Sequence, residues 1–284
     1  MSNSNNPLRQ YFRRPAVHLK LPSGGKYYAP GVVNFPESGE LPVYPMTAID
    51  EITSKTPDAL FNGSAMSEII KSCVPDIIDP WMINNIDFDA ILISIRASSG
   101  GNNLEIESMC PECKEVETYG VDLLGILAQM KPGDYESEMK IHDLAIKFKP
   151  LTYKEMNAAG LSQFNIQREF AALQTLPDAD ALSDDERKAR LKKGQDALKA
   201  VTLLTINILA NTIEYIRTPN VTVEEKEHIA DFLRNCDNPM YVALRDYNAK
   251  LKTQTDIKPL QLKCVHCNNE YEQPFTLNTS DFFG

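Results

Sequence analysis

Histidine is scarce in this chain. Only His18, His142, His228 and His266 are present. None stands in an H-E-x-x-H pattern, which would set two imidazoles and a general base on one helical face. No serine occupies a G-x-S-x-G elbow, and no glycine-rich dinucleotide fingerprint occurs. Ser23-Gly24-Gly25-Lys26 lacks both the upstream glycine and the following Ser or Thr of a phosphate loop. Asp76, Asp79, Asp87 and Asp89 cluster beside Pro75, Pro80 and a helix start, where caps and turns account for them; a carboxylate pair for acid–base or metal chemistry is the alternative. No residue constellation asks for a substrate, and we expect no enzymatic activity.

Long apolar runs are missing too. The opening MSNSNNPLRQ has no hydrophobic stretch that could serve as a signal peptide. The most apolar segment, 201–216, carries Thr202, Thr205, Asn207, Asn211, Thr212 and Glu214, which suits a buried soluble helix and not a membrane span. Basic residues are outnumbered, 29 against 39, for a net charge of −10. Such a surface repels phosphate, so nucleic-acid binding is not expected. A reducing cytoplasm is the expected site of synthesis, where the six cysteines serve as thiols or metal ligands.

What is present reads as an α+β protein in four parts. Residues 1–45 form an extended N-terminal arm and a hairpin. Arg9, Arg13 and Arg14 make a small basic patch beside Tyr11 and Phe12, either a solvated arm or one that docks on an acidic neighbour. The segment from Val17 to Tyr28 predicts a hairpin across Pro22–Gly25, and the Pro- and Gly-rich stretch 29–45 predicts a wrapping loop. Residues 46–101 read as short helices: one starting at Thr56-Pro57, one over 64–73 stopped before Pro75, and one capped by Asp87 and ended by Ser98–Gly101. Trp81, the only tryptophan, is either a core anchor or an interface anchor.

From Asn103 the apolar period becomes two, which predicts strands over 102–151 and again over 256–284. Between them, 152–255 reads as an inserted helical bundle. Three capping boxes mark its helices: Thr152 with Glu155, Ser183 with Glu186, and Thr222 with Glu225. The helices are expected over 152–175, 183–217, 222–235 and 238–251, with an acidic loop over 177–185 and with 201–216 as the central helix.

The strongest signal is Cys110-Pro-Glu-Cys113 paired with Cys264-Val-His-Cys267, each interrupting an alternating strand pair. Thiolates suit zinc, and four of them close a tetrahedral site. The gap of about 150 residues exceeds the roughly 15–20 of common zinc modules. We therefore expect one split zinc ribbon, with one structural zinc per chain on Cys110, Cys113, Cys264 and Cys267, and the bundle looped out of it. His266 is a possible substitute ligand. Cys73 and Cys236 stand alone and read as buried thiols.

Several segments carry a resemblance. LPVYPMTAIDEI (41–52), TPDALFNGSA (56–65), SCVPDIIDPW (72–81) and IDFDAILISIRASSG (86–100), leading into the CPEC knuckle, together resemble the baseplate hub subunit and hub-assembly proteins of T-even-type contractile-tailed bacteriophages. The likeness is densest over 15–123. It implies a late-made structural protein of the virion tail, assembled in the host cytoplasm. It also implies partners among other baseplate and hub proteins in a symmetric assembly, contacted through the arm, the TPDAL region and the Asp79-Pro80-Trp81 region. A hub-assembly chaperone that leaves the particle and a zinc-ribbon nucleic-acid regulator are the rival readings.

Overall fold

The computed structural model describes residues 6–56, 63–174, 184–275 and 277. The cap at Thr56-Pro57, most of the TPDAL segment, the box at Ser183 and the acidic loop before Asp184 lie outside the described residues. The chain divides into two units, 1–132 with 255–284, and 133–254. The second is thus inserted in the sequence of the first. Among the described residues there are eight α-helices and several small sheets, a mixed α+β fold.

In the first unit, β1 (Val17–Leu19) pairs antiparallel with β2 (Leu41–Val43). The expected hairpin across Pro22–Gly25 does not form. Gly24 and Gly25 take φ of 65° and 79° and turn the chain, so Lys26–Tyr28 never runs back beside β1. The 29–45 segment does wrap and is pinned: the Asn34 N–H donates to the Asp76 carbonyl (2.7 Å), and the Ile78 N–H donates to the Val32 carbonyl (2.9 Å).

Helix α1 (Ala48–Ser54) opens on a capping box that sequence reading missed, formed by Thr47 and Asp50. Helix α2 (Ser64–Cys73) ends ahead of Pro75 as expected. Helix α3 (Asn85–Gly100) is the centre of this unit. Ile86, Phe88, Ala90, Ile91, Leu92, Ile93, Ile95 and Ala97 are all buried, and the helix packs on β1, β2 and α2. Its cap is Asn84, whose Oδ1 accepts from the Asp87 N–H (3.0 Å). Asp87 itself is buried and accepts from the Ser23 N–H (2.8 Å), the Ser23 hydroxyl, the Tyr28 hydroxyl (2.6 Å) and Asn84 Nδ2 (3.1 Å). Burial pushes its carboxyl above the usual range, and those donors oppose the shift. Asp79, another of the four clustered acids, accepts from the Trp81 N–H at a turn.

Strands β3 (Asn103–Met109) and β4 (Val116–Asp122) form one hairpin, followed by α4 (Leu123–Gln129). In the second unit, β5 (Glu138–Ile141) and β6 (Leu144–Phe148) turn at His142-Asp143, with His142 at φ 51°. The two-residue period there is real, but β6 pairs with β7 (Ile213–Arg217), which pairs with β8 (Thr222–Val223), in a four-stranded sheet.

Helix α5 (Tyr153–Gln174) starts at the expected box. The Glu155 carboxylate accepts from the Thr152 N–H and hydroxyl (2.8 and 2.9 Å), and Thr152 Oγ1 accepts from the Glu155 N–H (3.2 Å). Helix α6 (Asp184–Thr212) packs on α5 but stops short of the expected residue 217. Ile213, Tyr215 and Ile216 are strand formers, and from Ile213 the chain joins the sheet. Val201 and Leu203 are exposed while Ile206, Leu209 and Ala210 are buried, so this stretch buries one face and is not the central helix expected over 201–216. The Thr222–Glu225 box also fails, because Thr222 is spent in β8 and α7 (Lys226–Asn235) has no side-chain cap. Helix α8 (Asn238–Thr255) follows. The first unit then resumes with β9 (Leu260–Lys263) and β10 (Glu270–Gln273), a second two-stranded hairpin.

Candidate metal centre

Each cysteine pair sits in the turn of one of these two hairpins, and the two turns are built alike. Met109 pairs with Val116 just outside the first turn, and Lys263 with Glu270 just outside the second. Inside, the Cys110 N–H donates to the Glu115 carbonyl and the Lys114 N–H to the Cys110 carbonyl (2.9 and 3.0 Å). The Cys264 N–H donates to the Asn269 carbonyl and the Asn268 N–H to the Cys264 carbonyl (both 2.9 Å). Lys114 and Asn268, each directly after the second cysteine, both adopt the left-handed conformation, at φ 64° and 57°. That conformation curls the turn so both sulfurs of a pair face one point.

The two points coincide. All four sulfurs lie within 4.8 Å of one another. Cys110 Sγ is 3.6 Å from Cys267 Sγ, and Cys113 Sγ is 3.6 Å from Cys264 Sγ. The first cysteine of each turn thus faces the second of the other, a pseudo-two-fold arrangement. A metal–sulfur bond of about 2.3 Å gives a tetrahedron with edges of about 3.8 Å. The observed spacing fits that edge and is far from a disulfide bond, and all four are free thiols. Cys110 and Cys264 are buried, Cys113 partly so, and Cys267 is exposed.

The electrostatics ask for a cation. The N–H groups of Cys113 and Glu112 point at the Cys110 sulfur and bring its pKa down to about 6, against burial. At Cys113 the Glu115 N–H also favours the thiolate. Burial and the neighbouring Cys264, Cys267 and Cys110 thiols outweigh it and push that pKa up to about 12. Four crowded sulfurs cannot all ionise alone; a bound cation would supply the missing charge.

The hairpins are also joined by contacts that no spacing rule reveals. Tyr271 OH donates to Ser108 Oγ (3.1 Å), Ser108 Oγ donates to Gln273 Oε1 (2.9 Å), and Tyr119 OH donates to the Lys263 carbonyl (3.3 Å). Their only trace in the sequence is their inward place in the alternation. His266 is not part of the cluster: its Nε2 lies 3.2 Å from Glu117 Oε2. Of the two lone cysteines, Cys73 is buried and Cys236 half-buried.

The remaining candidate residues lie apart from this centre. Arg9 and Arg14 are exposed, and Trp81 is half-buried in a 3-10 turn, Pro80–Met82. The Arg13 guanidinium is engaged within the chain. It donates to the carbonyls of Pro45 (2.5 Å) and Ser72 (2.8 Å) and to Ser72 Oγ (2.8 Å), and pairs with Asp50 (3.4 Å). Among the described residues, no helix is long and apolar enough to cross a membrane.

Searches among curated proteins and solved structures return no match. The family model described as "T4 bacteriophage base plate protein" matches residues 15–284, beginning directly after Arg14 and covering both units and both cysteine turns. With the match spanning nearly the whole chain, the protein belongs to the T4 bacteriophage base plate protein family.

Proposed function

We propose that this chain is a structural subunit or assembly factor of the tail baseplate hub, held together by one structural zinc in a split ribbon. The family match over 15–284 carries the reading. A virion tail component with other baseplate proteins as partners follows from the family. The hub is the finer placement, supported by the segments at 41–52, 72–81 and 86–100. Four cysteine ligands leave no coordination position for water, so the metal in this reading is structural and takes no part in catalysis; the reading assigns the chain no enzymatic activity. Zinc is favoured by the all-thiolate donor set. Exposed Glu105, Glu107, Glu112 and Glu115 surround the first turn, an unsuitable surface for nucleic acid.

Mass spectrometry of purified virions tests the placement. A fixed small copy number per particle is the expected result. Absence from the particle, with hub assembly lost when the gene is deleted, would make the chain a chaperone that departs. Binding of DNA or RNA in a low-salt gel shift would instead favour a regulator.

A further inference from the structure

The charge of this chain is unevenly placed. Residues 1–36 hold Arg9, Arg13, Arg14, Lys20 and Lys26 and no acid; the rest holds all 39 acids and the other 24 of the 29 bases. The basic arm also displays apolar side chains. Leu8, Tyr11 and Phe12 are 60%, 77% and 57% exposed, and on α1 Ile49 and Ile52 are 74% and 70% exposed. This display is fixed in place. Asn6 caps a 3-10 turn at Pro7–Tyr11, Arg13 clamps the arm to Pro45, Asp50 and Ser72, and the Ala16 N–H donates to the Val43 carbonyl (3.0 Å). Exposed aromatic and arginine residues on an ordered segment are the usual material of an interface centre.

The first unit also carries the complementary surface. The β3–β4 hairpin, residues 103–122, has six acids and one base. Strand alternation turns Glu105, Glu107 and Met109 outward, and Val116 stands directly opposite Met109. Met109 and Val116 are 58% and 53% exposed. This sheet face is thus an apolar pair rimmed by carboxylates, where the arm is an aromatic pair rimmed by guanidinium groups.

We propose that the arm of one copy docks on the outer face of the β3–β4 hairpin of a second copy, with Tyr11 and Phe12 against Met109 and Val116 and with Arg9 and Arg14 against Glu105 and Glu107. The contact joins two different surfaces, so it is head-to-tail. It closes into a ring or continues, as the rotation between copies dictates. The proposal does not depend on where in the particle the chain sits.

Sedimentation velocity of the full-length, metal-loaded chain tests it. Self-association should weaken at least about tenfold between about 0.05 M and about 0.5 M salt, because the pairing is charge-assisted and solvent-exposed. The arm variant Arg9→Glu/Arg14→Glu and the hairpin variant Glu105→Lys/Glu107→Lys should each be monomeric, with melting temperatures near that of the parent. Mixing the two variants should restore a complex, because the hairpin variant's arm meets the arm variant's intact hairpin. A parent chain that stays monomeric at low salt overturns the proposal. So does either variant associating as the parent does, or a mixture that stays monomeric.

Discussion

Cys110 and Cys267 hold their sulfurs 3.6 Å apart across 157 positions of sequence. Cys113 and Cys264 do the same across 151. The chain therefore leaves the cluster at one turn and returns to it at the other. Closing a loop of that length has an entropic cost in the free chain. A metal that binds only the assembled cluster offsets it, since its affinity for the folded state becomes folding free energy.

Cys264→Ser removes one of the four donors and should lower the melting temperature by at least about 5 °C. A strong chelator should do the same to the parent and add little to the variant. Elemental analysis should find about one zinc per chain. If neither the substitution nor the chelator moves the melting curve, the metal has no structural role.

Asp87 gathers four donors beneath α3. Asp87→Ala leaves Ser23, Tyr28 and Asn84 with unmatched buried hydrogen-bonding groups and should destabilise by about 3 kcal/mol. Asp87→Asn keeps the shape but sets a donor among donors, and should fall between. Because the folded-state pKa of Asp87 is raised, its contribution to stability falls as pH rises from the ordinary carboxylate range through that value. Urea titrations of parent and variants across acidic pH check both points.

Glu155 shifts the opposite way. Burial alone would raise its pKa, but the Thr152 N–H, the Lys149 ammonium (3.0 Å) and the Thr152 hydroxyl together lower it. Its stabilising effect is present above the ordinary glutamate range and is lost as pH falls through the depressed value. Thr152→Ala should cost about 1 kcal/mol. A Glu155→Gln variant should show a shallower loss of stability in acid than the parent; an identical acid limb would mean the carboxylate is not held as described.

Arg13 fastens the arm. Arg13→Ala should release it, seen as rapid tryptic cleavage after Arg9 while the first unit stays folded. Arg13→Lys should rescue little, since a single ammonium cannot replace a fork reaching Pro45, Ser72 and Asp50 together. Cys73 lies beside this clamp. Burial and Asp50 push its thiol up to about 12, against the pull of Arg13. In the folded parent it should resist alkylation at neutral pH.

Local signals read well where a pattern had one physical solution. The helix over 64–73 ends before a proline, the box at Thr152 forms because a helix follows, and the two cysteine turns interrupt strands as their alternation implies. The failures share a cause. Thr222 and Glu225 satisfy the spacing of a box, but sheet pairing with β7 claimed Thr222. Ile213–Arg217 continues an apolar run that suits a helix, yet it fills the place beside β6. Asp87 looked like a cap and became a buried acceptor because Ser23 and Tyr28 arrive from more than fifty residues away.

The sequence by itself determined the donor chemistry: four thiols in two turns, each with a residue type and spacing that bends the chain around a point. It also determined the absence of recognisable catalytic motifs, and it carried the resemblance to baseplate proteins. Only the tertiary structure decided that the two turns share one point, that strands over 138–148 belong with 213–223, and that Arg13 is turned inward while Arg9 and Arg14 face outward. Those outcomes depend on pairings between distant segments. Each is set by which partner best satisfies backbone hydrogen bonds and buries apolar surface, a competition that no local window of residues contains.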